Sequence, residues 1–135
     1  VILIPRVTEA SLLFDNAGVN GVGGEALSSV VHVGDLTVMG FYFKQSGAAP
    51  EIELYVRPYG NLKDRGEVPL ASDSDWGAWE LIETYSGVKT VWQHSPVGIS
   101  YGTFLQFKAV GITGNGSDTA VTLRFLGQRI GYYMY

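Results

Sequence analysis

The sequence predicts an all-β fold, an antiparallel β-sandwich or jelly-roll-like domain, and three observations carry that expectation. Three segments alternate cleanly between apolar and polar residues: Glu51–Arg57, Gly102–Val110 and Asp118–Phe125. In the first, Ile52, Leu54 and Val56 fall on one face and Glu51, Glu53, Tyr55 and Arg57 on the other, a period of two that a helix would scatter. Turn residues recur at short spacing, with 18 glycines in 135 residues, well above the usual ~7%. No stretch has a convincing helical period. The chain is about one domain long, and 46% hydrophobic with 13% aromatic residues is a composition that folds. We therefore expect a single domain over residues 1–135, with an extended N-terminal arm at 1–7 and a C-terminal tail at 131–135.

Val1–Val7 reads as a strand or extended arm, and Pro5, which has no N–H to donate, favours an edge. It is apolar but too short for a signal peptide, and no small-residue cleavage site follows it. Ser11–Phe14 is a short apolar piece, and Asp15–Gly24, with four glycines and two asparagines, is a loop. Glu25–Val33 fits either a helical turn or a strand, and we favour a strand from about Ser29. Leu36–Gln45 is a long strand apolar on both faces, as a central strand or one meeting a partner would be. Pro58–Asp75 is an irregular excursion with one short strand expected at Val68–Ala71. Trp76–Tyr85 and Val88–Gln93 should pair as a hairpin about Ser86-Gly87. Gly102–Val110 sets Leu105, Phe107 and Ala109 against Phe104, Gln106 and Lys108, and Asp118–Phe125 sets Val121, Leu123 and Phe125 inside.

Charge narrows the function classes. The net charge is −4 and no Lys/Arg cluster is present, which argues against a nucleic-acid or anionic membrane partner. Without cysteine there is no disulfide, thiolate metal ligand or thiol nucleophile. His32 and His94 stand in different segments without the acid or nucleophile a catalytic site would set beside them. No hydrolase, zinc-protease or phosphate-loop motif occurs. Ser72-Asp-Ser-Asp75 with Glu80 or Glu83 contains the oxygens for a calcium site or a glycosidase pair, yet lacks the Gly and Glu of a calcium loop, and such clusters ordinarily cap turns. No catalytic residue, cofactor or metal ligand is therefore expected.

Two aromatic groups stand out. Trp76, Trp79 and Trp92 lie on or beside the expected hairpin, where they would pack across strands or, if exposed in a row, stack on sugar rings. The ends are apolar: Ile2, Leu3 and Ile4 at one, Tyr132, Tyr133, Met134 and Tyr135 at the other. Either these ends complete the domain's own strands or they dock on a neighbouring subunit; Tyr and Met are enriched at interfaces, so we favour these seven residues as an interface.

The cadence Leu36-Thr-Val-Met-Gly-Phe-Tyr42, Ile52-Glu-Leu-Tyr-Val56, Trp79-Glu-Leu-Ile82, Tyr101-Gly-Thr-Phe-Leu-Gln-Phe-Lys-Ala-Val110 and Thr119-Ala-Val-Thr-Leu-Arg-Phe125 resembles small β-sandwich virion proteins of tailed phages, those that decorate capsids or serve as head fibres and tail accessories. The resemblance spans roughly Leu36–Phe125 and carries no invariant functional residue. It implies a non-enzymatic structural protein at the particle surface, self-associating as a symmetric oligomer such as a trimer and contacting a major capsid protein or another virion protein. The alternative is a carbohydrate- or receptor-binding module using the tryptophans.

Overall fold

The computed structural model describes residues 2–19, 24–33, 38–46, 51–60, 67–96, 104–113 and 120–133. Nine strands are found among them: β1 (Ile2–Gly18), β2 (Glu25–Leu27), β3 (Val31–His32), β4 (Val38–Ser46), β5 (Glu51–Pro58), β6 (Glu80–Ser86), β7 (Lys89–Pro96), β8 (Phe104–Thr113) and β9 (Ala120–Tyr133). They form two antiparallel sheets. The first has the order β1-β9-β4-β7, and the second β2-β8-β5-β6 with β3 also on β8.

The two sheets share one core. Phe43, Val121, Leu123 and Phe125 of the first and Ile52, Leu54, Phe107 and Ala109 of the second are fully buried and belong to a single apolar cluster. The inward parity expected for Glu51–Arg57 and Asp118–Phe125 is the parity observed. Across the interior Phe43 stacks on Tyr85, centroids 3.9 Å apart and 12° from parallel, and Phe107 meets Phe125 at 5.8 Å. Such contacts add to the burial of two large rings.

Several expectations change. Trp76–Tyr85 and Val88–Gln93 do not form a hairpin: β6 pairs with β5 and β7 with β4, in different sheets. The Ser86–Val88 link instead carries the chain from one sheet to the other. Gly87 has φ +79°, a conformation that other residues adopt at a cost. Buried Gln45 of β4 secures the crossing, its Nε2 donating to Gly87 O and to Tyr85 O.

No strand forms at Val68–Ala71. The excursion instead closes at its stem, where Tyr59 bridges Trp76, Gly60 N donates to Asp75 O at 2.7 Å and Gly77 N to Pro58 O at 2.8 Å. Glu25–Leu27, where a helical turn was one expectation, is extended and pairs with β8. Between β2 and β3, Ser28 keeps the ladder intact: its N donates to Phe107 O and its Oγ accepts from Phe107 N, both at 2.9 Å.

At the N-terminus the strand alternative is the one observed from Ile2 on, and it is continuous with Ser11–Phe14 in one strand from Ile2 to Gly18, with three register shifts along β9. Pro5 lies on it at the edge of the first sheet. The two ends pair with each other: Ile2 opposite Tyr133, Leu3 opposite Tyr132 and Ile4 opposite Gly131. Met134 and Tyr135 lie outside the described residues. The β4 partners of β9 end at Gln128, so among the described residues Arg129–Tyr133 pair only with Ile2–Arg6. Five residue pairs, Ile2–Arg6 with Arg129–Tyr133, thus join the two ends over roughly 17 Å at the usual strand rise.

Candidate functional site

Two clusters of aromatic rings and cations stand on the two outer faces. The first is organised by Arg57 on β5. Alternation that buries Ile52 and Leu54 turns Glu53, Tyr55 and Arg57 to the outside. Arg57 Nε and Nη2 both donate to Gln106 Oε1, at 3.0 and 2.6 Å, and Nη2 also donates to Ala71 O at 2.9 Å. The guanidinium lies 4.5 Å from the Trp76 ring centroid and 4.6 Å from that of Trp79. Lys108, from β8, lies 4.5 Å from Trp79 and 5.3 Å from Tyr55. Trp76 Nε1 donates to Leu70 O at 2.8 Å, and its ring meets Tyr59 edge-on. The rings of Trp76 and Trp79 are therefore engaged by the protein's own cations, which clamp the excursion to the sheet. Burial lowers the Arg57 pKa from its ordinary value. The Tyr55 hydroxyl donates to Glu53, and that bond, followed by burial and the nearby negative charge, raises the Tyr55 pKa.

The second cluster lies on the first sheet. Trp92 of β7 is joined by Lys44 of β4 at 4.4 Å and Arg124 of β9 at 4.9 Å, and by Tyr42 edge-on at 6.5 Å. Cross-strand register explains the grouping, since Tyr42 pairs with Arg124 and Lys44 with Thr122. Beside it runs an open groove of about 270 Å³ lined by Lys44, Ser46, Lys89, Thr90 and Thr122 with Gln45 and Ala120. No Asp or Glu occurs on β4, β7 or β9.

The three tryptophans are thus not one row. Trp76 and Trp79 belong to the second sheet's outer face and Trp92 to the first sheet's, because the chain changes sheets at Gly87. The carboxylates are dispersed in role: Asp73 Oδ2 accepts from Leu70 N at 3.2 Å and Tyr59 OH at 3.3 Å, stabilising a turn, while Glu80 and Glu83 are exposed on edge strand β6. Asp75 is exposed, and its backbone oxygen serves the loop stem. Among the described residues no group of three His, Asp or Glu could hold a metal. His32 meets Phe104 edge-on at 5.1 Å, and His94 lies opposite Tyr42 in register.

Sequence reasoning missed the cations of both clusters. Parity alone places Arg57 and Lys108 outward, but nothing local announces that Trp79, outside any strand, reaches between them. No family model matches this chain, nor does any curated protein.

Proposed function

We propose that this chain is a non-enzymatic virion structural protein, a capsid decoration or other repeated component of a phage particle, acting by symmetric self-association at the particle surface. The terminal pairing carries this reading. This pairing brings the apolar Ile2, Leu3 and Ile4 together with the aromatic Tyr132 and Tyr133. Register sets Leu3 opposite Tyr132, Pro5 opposite Ile130, Ile2 opposite Tyr133 and Ile4 opposite Gly131. A mostly apolar pair of ends, with Arg6 opposite Arg129 at its inner limit, lies at the edge strand of the first sheet, where a neighbouring subunit would cover it. The ends thus serve assembly as a zipped pair rather than as two separate arms.

Strand order supports the finer fold assignment. If β2 and β3, bridged by Ser28 on β8, count as one interrupted strand, the sheets contain eight strands ordered first-eighth-third-sixth and second-seventh-fourth-fifth. We read that order as the double Greek key of a jelly roll, an architecture shared by capsid proteins and lectins. The open edges β6 and β7 add exposed apolar side chains, Leu81 at 52%, Val88 at 53% between them and Val91 at 71%, which self-association would cover.

Light scattering of the full chain tests the reading. An oligomer is expected, and deletion of Val1–Arg6 together with Arg129–Tyr135 should leave a folded monomer. A monomeric full chain, or a truncated chain that assembles normally, overturns it.

A second reading, a carbohydrate- or receptor-binding module, is favoured by one observation: Trp92 stands among cations beside a hydroxyl-lined groove. The Trp76 and Trp79 version is disfavoured, since Arg57 and Lys108 occupy those rings.

A further inference from the structure

We infer that the outer face of the first sheet binds an acidic saccharide, one bearing a carboxylate or sulfate, in the groove between Lys44, Lys89 and Thr122. This deepens the carbohydrate reading and is independent of assembly through the paired ends.

Charge is the first ground. The protein carries −4 overall, yet the first sheet's strands hold Arg6, Lys44, Lys89, Arg124 and Arg129 against Glu9 and Asp15, both of which lie on β1. The second sheet's strands hold Glu25, Glu51, Glu53, Glu80 and Glu83 against Arg57 and Lys108. Positive charge thus outweighs negative on one sheet of an acidic molecule, an arrangement that favours an anion. Lys44 and Arg124 rest on the ring of Trp92. At an exposed site that attraction is weak, so an oxyanion competes with it readily.

Shape and lining are the second ground. The groove, about 270 Å³ and open, lies at the low end of small-ligand sites and suits one ring of a longer chain rather than an enclosed metabolite. Ser46, Thr90 and Thr122 supply hydroxyls that both donate and accept, the chemistry that matches a polyol. The lysines supply the complement to its carboxylate or sulfate, and Lys44, which lines the groove, also lies over the ring of Trp92. A bare phosphate would use the lysines and leave the rings and hydroxyls without a role.

The test is titration of the full chain with a sulfated hexasaccharide, an oligogalacturonate, a neutral maltohexaose and inorganic polyphosphate, followed by calorimetry and tryptophan emission. The acidic saccharides are expected to bind and change the emission, and binding should weaken between about 0.05 and about 0.5 M salt. The pair Lys44→Gln and Lys89→Gln should weaken it about ten-fold or more. Thr90→Glu, on an exposed position, should do the same without touching the lysines, with folding checked by thermal melting. If neither acidic saccharide binds, the inference is wrong. Polyphosphate binding as tightly as the saccharides marks a bare electrostatic patch and overturns it too. Binding of maltohexaose that ignores the lysine variants overturns the acidic ligand while leaving the carbohydrate reading in place.

Discussion

Removing the guanidinium of Arg57 should release the excursion from the second sheet. Arg57→Met keeps most of the aliphatic stem and deletes three hydrogen bonds and two ring contacts. The two bonds to Gln106 Oε1 come from a charged donor to a side chain only 3% exposed. Together they contribute about 1.5–2 kcal/mol, because they share one acceptor whose loss of a donor adds its own penalty. The exposed bond to Ala71 O adds roughly 0.5 kcal/mol. Each indole contact contributes about 0.5 kcal/mol at a site this open. Against this stands the desolvation that lowers the Arg57 pKa, which the variant no longer bears. The net expectation is a loss of about 2–3 kcal/mol, or roughly 8–12 °C in Tm for a chain of this length. Urea unfolding gives the free energy, and native-state tryptophan emission should shift to the red as Trp76 and Trp79 lose their cover. Arg57→Lys should restore less than half, since an ammonium cannot reproduce the fork. A loss below about 1 kcal/mol with unchanged emission would refute the clamp.

Two further outcomes follow from the core and the second sheet's outer face. Phe43→Ala removes a fully buried ring stacked on Tyr85, and should cost about 3–5 kcal/mol. Its urea midpoint should fall with the slope unchanged, whereas Phe43→Leu should lose markedly less. For Tyr55, the bond to Glu53 raises the pKa in the folded state, so its stabilising contribution is present below the unfolded value near pH 10 and is lost as pH rises through the folded pKa. Wild type should therefore exceed Tyr55→Phe in stability at about pH 8, with the gap closing under alkaline conditions in a pH series of unfolding curves. A gap that widens with pH contradicts the assignment.

Much of the fold was legible because a strand reports its own parity. Ile52, Leu54, Val121, Leu123 and Phe125 are buried as alternation required, since neighbouring residues on a strand must face opposite sides whatever the sheet. Parity failed where side chains of the same sheet's neighbouring strands and links pack over the outer face. Phe104 and Gln106 are 5% and 3% exposed despite their outward register, because Tyr59, His32, Arg57 and Ser28 close over that end of β8. The candidate sites were less legible. The tryptophans could be named, but their division between two faces depends on the change of sheet at Gly87, and a local turn signal is the same for a hairpin and for a crossing.

By itself the sequence determined the all-β class, the inward residues of its alternating strands and the apolar character of both ends. These are properties of short windows, set by side-chain period and by the glycines between them. The tertiary structure alone decided which strands became neighbours. It paired Ile2–Ile4 with Gly131–Tyr133 across nearly the whole chain, converting two apolar ends into one paired segment. It also gathered Lys44, Trp92 and Arg124 from three strands into one cluster and set Lys44 and Lys89 along one groove. Such groupings depend on long-range register, and backbone hydrogen bonds are the same for every residue pair, so only the combined burial of both sheets selects among the alternatives.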